Sequence, residues 1–151
     1  MWKGFIAAAI VLAVPASAQR ARPMLDYETA ATMRDACLAF AAEKQVDVAI
    51  AIFDDAGRLI TFAKMDGVST VVEQLAQWKG KSAATYRTAS ADTAKWNAPT
   101  APDIATFGGG QPFFTPDGTP LGGIGVSGAV TEDDIACGKA AVAAAGLKGG
   151  E

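Results

Sequence analysis

Phe107 to Asp134 reads FGGGQPFFTPDGTPLGGIGVSGAVTEDD. Its centre, Pro116-Asp117-Gly118, is a turn with a mechanism: proline presets φ, aspartate bonds its own backbone, and glycine takes the positive φ that closes a hairpin. Strands therefore flank it. The second, Leu121 to Val126, carries Gly122, Gly123 and Gly125, and glycine inside a strand marks a bulge or the close approach of another backbone or a ligand. Thr131 then caps a helix, with Glu132, Asp133 and Asp134 at the positive end of its dipole. Three consecutive acids at a helix start point in different directions, so they do not make a calcium loop.

Upstream, Asp26 caps a helix reaching to Gln45, with Ala30, Met33, Cys37, Leu38 and Ala41 forming an apolar stripe. Val48, Ile50 and Ile52 alternate with Ala49, Ala51 and Phe53, which predicts a central strand buried on both faces. Asp54 to Gly57 is a turn, and Leu59 to Met65 returns as the paired strand. Thr70 and Glu73 have capping-box spacing and start a helix from Val71 to about Arg87. Thr88 to Trp96 reads as a short second helix that Asn97-Ala98-Pro99 and Pro102 stop. Ala98 to Gln111 is then a long loop, either a mobile surface connection or a lid over a pocket. This order of elements predicts a two-layer α+β domain, an antiparallel sheet with packed helices.

Residues 1–18 stand apart. Lys3 gives a positive start, Phe5 to Val14 is apolar but too short to span a bilayer, and Ala16-Ser17-Ala18 has the Ala-x-Ala form of a cleavage site. This predicts a signal peptide, a periplasmic or secreted destination, and a mature chain of 133 residues, 19–151, that makes one domain. The 13 basic residues include Lys3; without it 12 stand against 16 acidic ones, a net charge of −4. Such a chain has no electrostatic reason to seek nucleic acid. Lys79, Lys81 and Arg87 are the one local basic group, read as a solvated helix face. No later segment is long and apolar enough for a membrane span.

The inventory of reactive groups is short. The chain contains no histidine, which removes the commonest general base, the commonest metal ligand and the usual proximal haem ligand. A Ser-His-Asp triad is excluded, and no metal site is expected, since two cysteines without histidine do not complete a zinc tetrahedron. Gly122-x-x-Gly125-x-x-Gly128 lacks the Gly-Lys-Ser/Thr of a phosphate loop and lies on a strand.

Val48 to Gly67 (VAIAIFDDAGRLITFAKMDG), Lys81-Ser82-Ala83-Ala84-Thr85 and Gly122 to Asp134 (GGIGVSGAVTEDD) follow one another in an order that resembles the GlcG/HbpS family of haem-binding-like domains, also found at the C-terminus of PduO-type proteins. In that family the second motif is a helical Lys-Ala-x-Thr-Ala. The resemblance covers nearly all of the mature chain. It implies a profilin-like sheet of about five strands, a homo-oligomer, and haem as the first ligand to consider. The iron ligands left in a chain without histidine are Tyr27, Tyr86, Met24, Met33, Met65, Cys37 and Cys137. The resemblance also implies that the first and last helices pack side by side, bringing Cys37 and Cys137 within reach of a disulfide; two buried free thiols are the other reading.

The preferred reading is a small-molecule-binding accessory protein rather than an enzyme. Phe107, Phe113, Phe114 and Trp96, with Lys81 and Tyr86, are the candidate ligand-binding residues, because an aromatic-lined concavity suits a flat apolar ligand; core or subunit-interface packing is their alternative. A lyase or isomerase acting on a small acid would use Lys81 or Arg87 to hold a carboxylate and Asp66 or Asp103 to carry a proton. A structural protein without ligand would use the glycine-rich strand as a packing surface.

Overall fold

A computed structural model describes residues 20–150 of the chain. The expected signal peptide, residues 1–18, lies outside them.

Helix α1 (Tyr27–Lys44) starts as expected, with the Asp26 carboxylate accepting from Thr29 N–H at 2.7 Å. It ends at Gln45 in the left-handed region. Ala30, Met33, Cys37 and Ala41 are buried along one stripe. Strand β1 (Ala49–Asp54) is buried at all six positions and lies between two partners. The hairpin to β2 (Leu59–Lys64) is stitched by Asp54, whose carboxylate accepts from Ala56 N, Arg58 N and Arg58 Nε at 2.7–3.0 Å.

Helix α2 (Thr70–Tyr86) begins one residue earlier than expected. Ser69 supplies the capping oxygen to Val72 N, and Thr70 is already helical, so the Thr70/Glu73 capping box does not form. The last long helix, α4 (Thr131–Ala144), shows the same displacement: Val130 holds the cap position and Thr131 is helical. In its place Asp134 accepts from Ala129 N at 3.1 Å. Between them lie α3 (Ser90–Thr93), a single 3₁₀ turn (Ala94–Trp96), β3 (Gly110–Phe114) and β4 (Pro120–Ser127). Strand β3 takes in Gly110 and Gln111, which the sequence reading placed in the loop. The Pro116-Asp117-Gly118 turn is present, with Gly118 at φ +89°. A two-residue strand β5 (Lys148–Gly149), too short to carry a spacing signal, pairs with β3.

The strands form one antiparallel sheet in the order β2-β1-β4-β3-β5. Helices cover both of its faces, making three layers rather than two. On one side α1 and α4 bury Met33, Cys37, Ala41, Cys137, Ala141 and Val142 against Val48, Ile50, Ile52, Phe113, Ile124 and Val126. On the other, α2 lies with its backbone almost on β4. A Cβ on Gly125 would overlap the Ala76 carbonyl and the Gly80 amide, and one on Gly80 would meet Gly125 N at 2.8 Å. The glycine-rich strand is thus a close-packing surface, but its partner is this chain's own helix.

Cys37 and Cys137 are bridged, with Cα atoms 4.9 Å apart, so the two-thiol reading gives way. Small residues around them let α1 and α4 approach closely enough for the bond. Among the described residues no helix is long and apolar enough to cross a membrane.

Candidate functional site

The lysine that matters on α2 is Lys79. Its side chain and that of Asp134 are only 2% and 4% exposed. Lys79 Nζ donates to Asp134 Oδ2 at 3.2 Å, to Ser127 Oγ at 3.2 Å and to the Val126 carbonyl at 3.1 Å, which uses all three ammonium protons. Phe107 covers it, with Nζ 4.8 Å from the ring centroid. Burial pushes the Lys79 ammonium below its ordinary range and the Asp134 carboxyl above its own, and their mutual attraction opposes both shifts.

This corrects the solvated-face reading of Lys79, Lys81 and Arg87: Lys79 is interior, while Arg87 is exposed beyond the end of α2. The helical motif can also be placed in a second register. Lys79-Gly80-Lys81-Ser82-Ala83 meets the Lys-Ala-x-Thr-Ala pattern two residues earlier, with a hydroxyl at the fourth place. That hydroxyl is buried, and Ser82 Oγ accepts from Ala105 N at 2.9 Å. Thr93 Oγ1 donates to the Ala105 carbonyl at 2.7 Å and Ser90 Oγ accepts from Gly110 N at 2.8 Å. These hydroxyls pin the segment from 97 to 109 to the body of the protein.

Lys81 and Asp103 do come together, at 2.8 Å, but as a pair open to solvent. Asp66 is exposed in the turn before α2, apart from both. The aromatic candidates do not converge. Phe113 is fully buried in the core, as its packing alternative held. Phe107 meets Trp78 edge to face at 5.8 Å. Trp96 meets Tyr86 in the same way at 5.9 Å, and the Tyr86 hydroxyl donates to the Pro102 carbonyl at 2.6 Å. Phe114 lines a cleft of about 290 Å³ with Arg87, Thr88, Gly118 and Lys148.

A different surface gathers charge and apolar area. Arg20, Arg22, Pro23, Met24, Asp55 and Arg58 line an open cleft of about 310 Å³. Arg22 reaches Asp55 at 3.3 Å, and Arg58 reaches the buried carboxylate of Asp54 at 2.7 Å. Met24 is 76% exposed at its wall, Tyr27 is 60% exposed at the start of α1, and Leu59 is exposed on β2. No sequence motif marks these arginines, since Arg20 and Arg22 lie in the polar lead while Arg58 lies in a hairpin turn. Nothing local announces that these segments meet.

The chain belongs to the HbpS-like family, whose description is haem-degrading protein HbpS-like and whose model matches residues 25–143. No curated protein sequence matches it. Among solved structures it is similar to a PduOC–haem complex, with 25% identity and a TM-score of 0.77, over 83% of this chain and 98% of that one. It is similar to a double mutant of Streptomyces reticuli HbpS, with 27% identity and a TM-score of 0.76, over 90% and 97% of the two chains. The Klebsiella pneumoniae protein ORFY, at 20% identity and a TM-score of 0.77 over 89% of this chain and 98% of that one, shares the fold.

Proposed function

We propose that this chain is an exported accessory protein that binds a haem-class small molecule at its surface. The observation that carries the reading is the likeness, over most of both chains, to a domain crystallised with haem, within a family described by its action on haem. Three clefts among the described residues are open and near 300 Å³ each, which suits partial seating of a flat ligand on the surface rather than engulfment.

The donor set allows such a ligand in one restricted way. No histidine exists in the chain. Cys37 and Cys137 are consumed by their bridge, Met33 is fully buried, and the Met65 sulfur accepts from Val48 N–H at 3.4 Å while packing on the core. The Tyr86 hydroxyl is engaged with Pro102. Met24 and Tyr27 remain, both exposed. Haem, when bound, would supply the iron centre, and Met24 or Tyr27 would be the side chains available to hold it.

Export is supported by the leader-like residues 1–18 and by a buried disulfide, a bond that persists in oxidising compartments. Intact mass of the protein recovered from the periplasm or medium is expected to start at Gln19; a full-length mass there would overturn cleavage. Self-association is part of the same proposal, resting on exposed Val71, Phe107 and Val130 rather than on the glycine strand. A monomer across micromolar concentrations in sedimentation would overturn it. The decisive experiment is titration of haemin into the purified protein: a shifted Soret band that saturates at a fixed stoichiometry is expected, and an unchanged free-haemin spectrum would sink the assignment.

A further inference from the structure

We propose that the cleft between the C-terminal half of α4 and the β5 segment binds a short aliphatic carboxylate, whose anionic end is held by Gln111 and Lys139. This does not rest on the haem reading. Gln111 is a polar residue at a core position. Side chains alternate across β3, so Gln111 shares with Phe113 the face that packs towards α4, where an apolar residue is expected. An amide stands there instead, and the residue is only 3% exposed. A buried amide is costly unless its donors and acceptor are satisfied, so its presence calls for a partner.

That partner is not in the fold. The Gln111 amide has no hydrogen bond among the described residues, yet no wholly buried side-chain nitrogen or oxygen is left unsatisfied there. Its polar end is therefore the part of the side chain that meets the surface, and it lines a cleft of about 300 Å³. The neighbouring backbone leaves room for this. On α4, a Cβ at Gly138 would come within 3.1 Å of Gln111 Cγ, so the glycine gives the long side chain its path. Strand β5 pairs with β3 only at Phe113 and Phe114, and Gly150 N donates to the Pro112 carbonyl at 3.1 Å. Pairing stops short of Gln111, and the cleft opens at that point.

The rest of the lining divides by chemistry. Val142, Ala143 and Leu147 give an apolar wall. Lys139 lies one turn before Ala143 on the same helix face, is exposed, and makes no ion pair among the described residues. It is the one charged side chain of the lining, with no acid beside it there to neutralise it. A carboxylate accepts from an ammonium and from an amide N–H together, while an alkyl chain of a few carbons covers the wall. One positive charge suits a monoanion; a phosphate dianion would ask for more donors than the cleft offers.

The test is a titration of hexanoate into the protein without haemin, followed by NMR of the backbone amides and side-chain NH2 groups. Saturable shifts are expected at the Gln111 side-chain NH2 and at Lys139, Val142 and Leu147, with a dissociation constant on the order of 1 mM. Hexanamide and 1-hexanol, similar in length but uncharged, are expected to bind at least about fivefold more weakly, and Lys139→Met to weaken hexanoate by a similar factor. Ala143→Phe, which puts a ring into the cleft from an exposed helix position, should abolish the shifts. Gln111→Leu should lose most of the binding with native circular dichroism; if it does not fold, the variants at the two exposed α4 positions decide. The proposal is overturned if wild type gives no saturable shift at these residues, if hexanamide binds as well as hexanoate, or if Ala143→Phe keeps wild-type affinity.

Discussion

Lys79 Nζ and Asp134 Oδ2 lie 3.2 Å apart in the interior, although 55 residues separate them in the chain. The pair joins α2 to the start of α4 across the end of β4, where the Val126 carbonyl and Ser127 hydroxyl complete the lysine's partners. Desolvation of two charges is costly, so the pair is better regarded as fixing which elements meet than as a source of stability. Each partner is needed chiefly because the other is there.

Removing one member should therefore be worse than removing both. Lys79→Met is expected to cost about 3–5 kcal/mol, by stranding a buried carboxylate, and Lys79→Met/Asp134→Leu to recover most of that loss. Urea unfolding of the two variants and wild type checks this; a double variant less stable than the single would contradict it.

The pair also has a pH signature. Asp134 titrates above its ordinary 3.8 in the folded protein, so between those values the native state binds more protons than the unfolded and stability falls as pH rises. Lys79 titrates below its ordinary 10.5, so between its folded value and 10.5 the unfolded state binds more protons and stability rises with pH. Relative to the Lys79→Met/Asp134→Leu variant, wild type should be least stable in the middle of the range and gain towards both extremes. Exposed Asp26, Asp35 and Asp117, whose carboxyls are held below 3.8, act oppositely in acid but are common to both proteins and cancel in the difference. A flat difference across pH would refute the assignment of opposed shifts.

The Cys37–Cys137 bridge closes a separation of 100 residues, worth up to about 4.7 kcal/mol in the chain-entropy account. Protein unfolded without reductant should show no titratable thiol, and Cys37→Ser/Cys137→Ser should unfold at lower temperature by an amount corresponding to about 2–5 kcal/mol. Two thiols per unreduced chain would rule the bridge out.

Gly125→Ala tests the packing of α2 on β4. The added methyl would meet backbone on both sides, the Ala76 carbonyl and the Gly80 amide, neither of which can rotate away. A loss above about 3 kcal/mol, or failure to fold, is expected, whereas Gly118→Ala, whose Cβ would meet nothing within 4 Å, should be limited to the cost of its positive φ. Equal stabilities for the two variants would count against this packing.

What the chain's own letters determined was mostly local. The α1 stripe, the doubly buried β1, the Asp54–Gly57 and Pro116–Gly118 turns and the antiparallel order are carried by residue spacing and turn chemistry, which act over a few positions. The motif order added the family and the five-strand sheet. Helix starts slipped by one residue at Ser69 and Val130, because adjacent hydroxyls or a distant carboxylate can serve a helix end and spacing does not choose between them. Only the tertiary structure decided that Lys79 rather than Lys81 turns inward, that the glycines of β4 meet α2, that the aromatics scatter to separate places, and that Cys37 meets Cys137. It also decided that Arg20, Arg22 and Arg58 share one cleft with Met24. Each of these outcomes depends on a partner tens of residues away, brought close by sheet pairing and helix packing, and a lysine's burial is set by whether Asp134 and Ser127 arrive to compensate its charge.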